Sequence, residues 1–588
     1  AGTYWYGMHV VDNADNIGYE PGAKKVVVIG GDVPTEVGRP DWVGVWTIWG
    51  NGYTFDNTTR KWHKGHLLGF RWKDIETSND NFNFSTMDSQ IQTAINNGLH
   101  IILMFYHGEV TPSWVYGEGV PSVEGAYGKI YPYYLDPDYL PLYKDYISTV
   151  ANHIAAYPLA TREKIIAIQV AAGSSGDNHP YLGLLDGQDE YMISDSDWEK
   201  WTQDVHLLYK SKYEDTEIRL LINTYDDDLS NWADANGFGD FYLKAASINQ
   251  GYSAKNEMIP DYTWKLDDCS TPLSDGSFKR CRGEYTYASE NHYVYGLDKW
   301  WSEASVWNYY WQALWSTNIG FDMFMNWSWI VEDYNEEFID AFNFLDDHMG
   351  YKDPKTAKSA WIAFRDDLDV RDTARFPEGV YGVLDYGKNK SRYENILADF
   401  SAYGAVQGDW TQSLMDRPYL GPLGYDMELL ALNDVNYNVY RGNYGKYLTQ
   451  YNSNQTSQSY FRIGSKNQPY GRYARGFNSA EGKNAIFLNI DNKFFGGSPL
   501  DGDYNVTIKV IYFDQGFGSW QLKYDSKLNS QKIAYTQTNT NTGIWKEKII
   551  NVNDAYFGDR GENNSDIILF NNDTKDEIFH LVEVIRAE

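Results

Sequence analysis

The sequence predicts an α/β protein, a (β/α)8 barrel of the TIM type followed by a C-terminal β-sandwich. Eight short apolar segments alternate with helical stretches in the first part of the chain, and eight is the number of strands that closes such a barrel. After about residue 370 this rhythm stops. From about residue 471, strands with alternating apolar residues are separated by turn residues, which is typical of a sandwich.

The predicted barrel strands are short apolar runs, and they cover residues 43–50, 66–72, 99–106, 165–172, 218–224, 241–248, 281–287 and 321–327. Between the second and third strands, Met87, Ile91 and Ala94 repeat at helical spacing, and Gly98 ends that predicted helix. We therefore expect a barrel over residues 1–370, a connecting and β-rich region over 371–470, and a sandwich over 471–588.

Composition excludes several classes of partner. The chain has 588 residues and a net charge of −31, which opposes binding to nucleic acids and to anionic membranes. No apolar run is long enough for a transmembrane helix. The 22 Trp and 49 Tyr residues favour contact with sugars, because aromatic faces are apolar and their edges tolerate water, although a Tyr-rich core would have the same composition. We expect a polysaccharide or oligosaccharide partner.

Other expectations concern the location of the protein and its bound groups. The chain starts at Ala1 without Met, so we expect a secreted, cell-surface or periplasmic protein. Cys269 and Cys281 either form a disulfide that closes one short loop or stay free. No cluster of Cys and His has the spacing of a zinc site, and we expect no cofactor. A structural calcium ion in the C-terminal domain is left open.

The active site of a TIM barrel lies at the carboxyl ends of its strands, and that rule selects the binding candidates. They are polar or aromatic side chains at predicted strand ends, each with a purely structural role as the alternative: Arg71, Trp72, His107, Trp114, Asn223, His292, Trp327 and Trp329. Trp327 and Trp329 alternate on the predicted eighth strand, so we expect them to face the same side.

Cleavage of a glycosidic bond needs two carboxyl groups, one on each side of the bond. The predicted seventh strand supplies Glu284 and Glu290. Glu284 is the first candidate because it lies near the expected strand end and follows Arg282, which would hold it ionised. Glu290 is the reserve candidate, and a structural Arg–Glu pair is the alternative for Glu284.

Several segments resemble known enzymes. The stretch GFRWKDIETSNDNFNFSTMDSQIQTAINNGLHIILMFY resembles a segment of clan A glycoside hydrolases. IQVAAGSSGDNHPYLG, RGEYTY, WNYYWQALWSTNIGFDMFMNW and, near the end of the chain, VTIKVIYFDQGFGSWQLKYD and TGIWKEKIINVNDAYFG resemble segments of bacterial endo-hydrolases that degrade red-algal galactans. These are the carrageenases, agarases and porphyranases. The order of the segments is more specific than any one of them.

This resemblance implies a retaining mechanism, with a nucleophile at Glu284 and an acid/base glutamate at the position that Ala172 occupies. Alanine has no proton to give. Three interpretations remain open: an introduced Glu-to-Ala substitution that inactivates the enzyme, a displaced alignment in which Asp177 or another carboxylate supplies the proton, and a natural pseudo-enzyme that only binds sugar. Clan A enzymes often have Asn before this glutamate, whereas Ala171 stands here.

Two further alternatives come from other functional classes. A non-catalytic polysaccharide-binding protein would keep the aromatic cleft, and it would explain Ala172 without any substitution. An adhesion module built on the C-terminal domain would use acidic clusters such as residues 226–228 for calcium, but that cluster lacks EF-hand spacing. The exact glycan and its sulfation stay open.

Overall fold

The computed structural model describes residues 4–5, 9–11, 17–19, 25–26, 39–48, 60–125, 128–174, 180–181, 184, 187–223, 227–239, 241–244, 286–290, 305–333, 336–351, 353–365, 368, 372–384, 390–405, 442–465, 468–495 and 503–587. The chain divides into two compact units, residues 1–40 and residues 41–588. In the first unit two antiparallel strand pairs form, Tyr4–Trp5 with Lys25–Val26 and His9–Val11 with Ile17–Tyr19.

Eight parallel strands of the second unit close into a barrel, in the order of the chain. They are β1 (Gly44–Ile48), β2 (His63–Arg71), β3 (His100–Tyr106), β4 (Ile165–Gln169), β5 (Arg219–Asn223), β6 (Tyr242–Lys244), β7 (Thr286–Glu290) and β8 (Met323–Trp327). Each predicted barrel strand therefore corresponds to an observed one. The seventh differs most: it was predicted over 281–287 and begins at Thr286.

The larger helices lie between or after the strands. They are α1 (Ser85–Asn96), α2 (Tyr139–Ala155), α3 (Asp195–Tyr213), α4 (Asp227–Ala235), α5 (Ser305–Ile319), α6 (Ile339–His348) and α7 (Lys390–Ala398). Shorter helices cover Trp72–Ile75, Ser113–Gly117, Leu159–Arg162, Ser328–Asp333, Glu378–Tyr381 and Ser453–Thr456. Two short hairpins, Glu76–Ser78 with Asn81–Phe82 and Ser122–Glu124 with Ile130–Pro132, follow β2 and β3.

Two hydrophobic layers hold the barrel. Alternate strand residues such as Trp46, Met104 and Met325 fill its interior. Their neighbours, such as Leu103, pack outward against the helices, where α1 buries Met87, Ile91 and Ala94 as its spacing predicted. Glycines in β2 make room for the interior rings: a Cβ on Gly65 would lie 2.4 Å from the Trp46 ring, and one on Gly69 would lie 2.4 Å from the Tyr106 ring. The large interior aromatics therefore need glycine opposite them.

Two antiparallel sheets follow the barrel. Their strands are β9 (Ser359–Ala363), β10 (Tyr444–Lys446), β11 (Leu448–Tyr451), β12 (Gln458–Phe461), β13 (Tyr473–Gly476), β14 (Ala485–Ile490), β15 (Tyr504–Asp514), β16 (Ser519–Tyr524), β17 (Lys532–Thr538), β18 (Ile544–Ala555), β19 (Ile567–Asn571) and β20 (Ile578–Arg586). One sheet has the order β10-β9-β20-β13-β12, with β15 between β20 and β18, and the other has the order β11-β14-β19-β16-β17.

Both sheets contribute to one hydrophobic cluster, which contains Val510 and Val582 from the first sheet and Leu488, Leu522 and Leu569 from the second. The predicted antiparallel strands are confirmed, and the sandwich arrangement stays a prediction. The predicted boundaries at 370 and 470 do not coincide with the sheet edges. Strand β9 lies before residue 370 and pairs with β20, and β10 to β12 lie between 371 and 470.

Candidate active site

A cavity of about 940 Å³ opens beside the carboxyl ends of β2 and β3. Phe70, Met87 and Tyr106 contribute apolar surface, and Asn83 and Gln90 contribute amides. A mixed lining of this kind suits a sugar, whose ring has apolar C–H faces and a polar rim of hydroxyls.

Charged side chains line the same cavity. Arg71 forms an ion pair with Asp74 at 2.5 Å, and both side chains are about half exposed. Lys129 forms an ion pair with Glu109 at 2.9 Å. Lys73 also lines the cavity, is exposed, and has no ion pair with any residue that the structure describes. The lining therefore has an excess of one positive charge in a strongly acidic chain.

His107 follows the last residue of β3 and is fully buried. Its ring stacks on Tyr143 with the centroids 4.2 Å apart, and its Nδ1 is 2.8 Å from the Tyr139 hydroxyl. Burial lowers the pKa of His107 to about 3, although the nearby backbone of Ala171 opposes this shift. The ring is therefore neutral at ordinary pH.

Three polar atoms near His107 are buried and have no hydrogen-bond partner among the described residues: His107 Nε2, the Tyr134 hydroxyl and the Ser174 hydroxyl. Gly108 follows His107 and has a φ of +66°, which favours glycine. A Cβ on Gly108 would lie 2.8 Å from the Tyr134 hydroxyl oxygen and 3.4 Å from the Ser174 Cα. The Tyr134 hydroxyl and the backbone of Ser174 thus both approach Gly108, the residue after His107, at the ends of β3 and β4.

Aromatic donors from the helices fix the chain just beyond β4. The Tyr143 hydroxyl donates to the Ala171 carbonyl at 2.9 Å, and Trp201 Nε1 donates to the Ala172 carbonyl at 2.7 Å. Both alanines are fully buried. Ala171 belongs to the cluster inside the barrel, whereas Ala172 packs with the cluster between the barrel and the helices. Position 172 therefore lies against the aromatic layer that contains Tyr143 and Trp201.

The binding candidates on β2 and β3 have different environments. Arg71 ends β2 and lines the cavity, and the buried His107 also contributes to the cavity lining. Trp72 is fully buried, stacks on Tyr146 at 4.9 Å and donates from Nε1 to Glu76 at 2.7 Å, so it packs in the core instead of offering a face to sugar. Trp114 is partly buried and meets the Trp72 ring edge-on at 6.1 Å.

The remaining candidates are known from the backbone alone or lie outside the described residues. Asn223 ends β5, Trp327 ends β8 and Glu290 ends β7. Trp329 lies in the helix Ser328–Asp333, so the expected alternation with Trp327 along one strand does not hold. Glu284 and His292 lie outside the described residues, as do Arg282, Asp177, Cys269 and Cys281.

Sequence reasoning missed three residues of this region, Lys73, Lys129 and Tyr134, whereas Ser174 belongs to the tight loop of Gly and Ser expected at the end of the fourth strand. Lys73 directly follows a predicted strand end, so the rule that places active-site residues at strand ends could have selected it. Lys129 and Tyr134 belong to a long segment after β3, and no local pattern indicates that this segment folds back over Glu109 and Gly108. Burial of Ser174 depends on the neighbouring elements and has no sequence signal.

Over the part of the chain that the structure describes, no helix is both long and apolar enough to span a membrane. Among the same residues, no group of three or more His, Cys, Asp or Glu side chains is arranged to hold a metal ion.

No family model and no curated protein matches this chain. Among solved structures, similar chains include the catalytic domain of the β-amylase from Paenibacillus polymyxa, at 10% identity and TM-score 0.31, covering 49% of this chain and 92% of that one. A psychrophilic family 10 endo-β-1,4-xylanase has 12% identity and TM-score 0.31, covering 52% and 97%. A family 10 xylanase from Gloeophyllum trabeum has 13% identity and TM-score 0.29, covering 52% and 95%. All three are glycoside hydrolases, but TM-scores of this size do not establish a common fold.

Proposed function

We propose that this chain is a secreted, retaining endo-glycoside hydrolase of red-algal galactans, in which Ala172 stands where the active enzyme has its acid/base glutamate. The observation that carries the proposal is the end of β4. There the backbone of residues 171 and 172 is fixed by two aromatic donors, and the nearby side chains of His107, Tyr134 and Ser174 each have a polar atom without a partner among the described residues. His107 also lines the cavity at the carboxyl ends of β2 and β3, which is the end of the barrel where such enzymes carry their active sites.

The galactan is proposed from the resemblance of the quoted sequence segments. Endo action is supported by the abundance of aromatic residues, which suits a groove that binds several sugar units.

The proposed reaction has two steps. A glutamic acid at position 172 gives its proton to the glycosidic oxygen while a glutamate of the seventh strand attacks the anomeric carbon, so that one C–O bond breaks and another forms. The carboxylate at 172 then takes a proton from water, which releases the sugar from the enzyme with retained configuration. With Ala172 the leaving oxygen receives no proton from this position, so we propose that the chain binds its substrate and cleaves it very slowly.

Two glutamates are candidates for the nucleophile. The resemblance assigns the role to Glu284. The bounds of β7 support Glu290, because it is the last residue of that strand and pairs in register with Met325 of β8. The choice between them is open to experiment.

The first test restores the acid/base carboxyl. We expect Ala172→Glu to raise the release of reducing ends from agarose, porphyran or a carrageenan by about 10²–10⁴-fold, which is the usual contribution of general acid–base catalysis. Ala171→Glu is the matched control, because it adds the same group one residue away in the barrel interior, and we expect no gain from it. If Ala172→Glu binds one of these glycans but cleaves none, the chain is a polysaccharide-binding protein instead.

The second test identifies the nucleophile in the Ala172→Glu background. Removal of the nucleophile by Glu284→Ala or Glu290→Ala abolishes turnover, and azide then restores it with a product of inverted configuration. Each variant serves as the control for the other, because azide should restore activity only to the variant that lacks the nucleophile. Full activity in both variants would exclude a nucleophile on this segment.

A further inference from the structure

His107, Tyr134 and Ser174 each have a polar atom that finds no hydrogen-bond partner among the residues that the structure describes, and these atoms need an explanation. Each of these side chains is fully buried. A buried polar group without a hydrogen bond destabilises the folded state, and three such groups lie close together at the ends of β3 and β4. Such a cluster is stable where a further polar group binds it.

Position 172 adjoins this cluster. Trp201 donates to the Ala172 carbonyl at 2.7 Å, and its ring lies 5.5 Å from the Tyr134 ring and 6.5 Å from the His107 ring. Ser174 lies two residues further along the chain. Ala172, Tyr134 and Trp201 belong to one hydrophobic cluster, and His107 stacks on Tyr143 of the same cluster, so residue 172, Tyr134 and His107 share one aromatic wall.

We propose that His107, Tyr134 and Ser174 are positioning residues that bind the carboxyl group of the acid/base residue at position 172, an inference that rests on the proposed function. The two hydroxyls donate hydrogen bonds to the carboxylate oxygens. The Tyr139 hydroxyl occupies His107 Nδ1 at 2.8 Å, which leaves Nε2 for the same carboxyl group.

The surroundings of this cluster suit a catalytic acid. The titratable groups packed around His107 are the phenols of Tyr134, Tyr139 and Tyr143, whose pKa values are raised by burial, so they stay neutral. The nearest carboxylate along the chain, Glu109, is paired with Lys129. Burial raises the pKa of a carboxyl group at position 172, and hydrogen bonds to its charged form lower it again. The balance brings the pKa toward the working pH, as a general acid requires.

The test uses Tyr134→Phe and Ser174→Ala, each combined with Ala172→Glu. Each removes one donor to the carboxylate, which favours the protonated form, so the alkaline limb of kcat/KM moves to higher pH by about one unit. Tyr146→Phe and Ser316→Ala are the matched controls. They also remove buried hydroxyls that have no partner among the described residues, but Tyr146 stacks on Trp72 and Ser316 lies in α5. Neither control moves the limb.

A second measurement does not depend on turnover. The unfolding midpoint of Ala172→Glu is compared with that of Ala172→Gln as pH rises. A carboxyl group with a raised pKa in the folded state stabilises it fully below its unfolded pKa of about 4.3, and this contribution is lost as pH rises through the folded pKa. Adding Tyr134→Phe increases the loss, and adding Tyr146→Phe does not.

The outcomes separate the two proposals. If Ala172→Glu cleaves no glycan while Tyr134→Phe still alters its pH-dependent stability, the carboxyl-binding cluster stands and the hydrolase proposal fails. If Ala172→Glu is active and both Tyr134→Phe and Ser174→Ala leave the pH profile and the stability difference unchanged, this inference is overturned, and the three atoms bind a buried water instead. Lower activity without a shift of the alkaline limb of the pH profile overturns the inference as well, because it would indicate a purely structural role for these residues.

Discussion

Buried polar side chains at the carboxyl end of the barrel and in the C-terminal sheets differ in how fully the chain itself satisfies them. Asp514 ends β15 and is fully buried. It accepts hydrogen bonds from the backbone and the hydroxyl of both Thr540 and Thr542, and it pairs with Lys546 at 2.6 Å. Burial alone would raise the pKa of Asp514, but Lys546 and the two threonines outweigh it and hold that pKa well below the ordinary value.

At the end of β4, by contrast, His107, Tyr134 and Ser174 each keep a polar atom without a partner among the described residues. Asp514 is closed by a loop that follows it in the same domain, so its role is architectural. In the cluster beside position 172, no described residue satisfies these atoms, and the cluster lies at the end of the barrel where such enzymes carry out chemistry. This comparison distinguishes buried polar groups that stabilise the fold from buried polar groups that are placed to bind a further polar group.

The largest effect on stability is expected at Asp514. Asp514→Ala removes the charged acceptor of four hydrogen bonds from Thr540 and Thr542, and it leaves the partly exposed Lys546 ammonium with its hydrogen bond to the Thr540 hydroxyl. It should lower the free energy of unfolding by about 3–5 kcal/mol, because several donors lose a charged acceptor at once. Asp554→Ala is the control, because Asp554 pairs with Lys532 at 2.7 Å but is 28% exposed, and about 0–1 kcal/mol is expected. Urea unfolding measures both. Equal losses would show that the Asp514 cluster is no more architectural than a surface pair.

The same residue makes stability depend on pH. Because the pKa of Asp514 is lowered in the folded protein, its contribution is present above the unfolded pKa of about 3.9 and is lost as pH falls toward the folded value. The gap in Tm between the parent and Asp514→Ala should therefore stay constant from about pH 7 to about pH 5 and narrow as pH falls below about 4. A gap that stays constant over the whole range would contradict this origin.

A smaller effect is expected at the glycine that follows His107. Gly108 and Gly516 both have φ of +66°, so replacement by alanine strains either backbone by about 1–3 kcal/mol. A Cβ on Gly516 meets nothing within 4 Å, whereas one on Gly108 would lie 2.8 Å from the Tyr134 hydroxyl oxygen. Gly108→Ala should therefore cost about 1–3 kcal/mol more than Gly516→Ala, as overpacking does. Thermal unfolding of both variants measures this difference. Similar losses of stability in the two variants would mean that the Tyr134 side chain can move away from the added methyl group.

The smallest effect is expected where the barrel meets the sheets. Arg365 is fully buried and its guanidinium makes no hydrogen bond with any described residue, but it lies 5.3 Å from the Trp311 ring and 4.3 Å from both the Tyr444 and Tyr473 rings. Arg365→Met should change stability by only about 1 kcal/mol in either direction, because the lost cation–π contacts are offset by the removal of unpaired donors.

Arg475 provides the contrast for that prediction. It is also fully buried, but it donates to Ser457, Ser459 and the Ser453 carbonyl at 2.7–3.0 Å. Arg475→Met should cost about 3 kcal/mol, because several acceptors lose a charged donor. Calorimetry on both variants tests the pair. A large loss at Arg365 would mean that ring contacts alone hold a buried guanidinium as firmly as hydrogen bonds.

Much of the fold was predictable because its signals are local. Each predicted barrel strand has an observed counterpart, and residues 505–514, 519–525 and 579–587 correspond to β15, β16 and β20. The assignment of β9 to a C-terminal sheet was not predictable from the sequence. Its sequence, SAWIA, resembles a barrel strand, and only pairing with β20, more than two hundred residues later, assigns it to the C-terminal sheet.

The candidate site was predictable in position and less so in its residues. The strand-end rule selected Arg71 and His107, which line the cavity. It also selected Trp72, because the sequence does not show whether a tryptophan at a strand end faces a cleft or the core. In the structure the Trp72 ring stacks on Tyr146 and its N–H donates to Glu76, so it packs in the core.

The sequence by itself determined the alternation of strands and helices, the closure number of eight and the acidic, aromatic character of the chain, since periodicity and composition act over neighbouring residues. The tertiary structure decided which side chains meet. Lys129 meets Glu109 across twenty residues, Tyr139 meets His107 across thirty-two, and Trp201 meets Ala172 across twenty-nine. The physical reason is that contacts between distant residues depend on how whole elements pack, and no local pattern encodes which neighbour a buried polar atom will find.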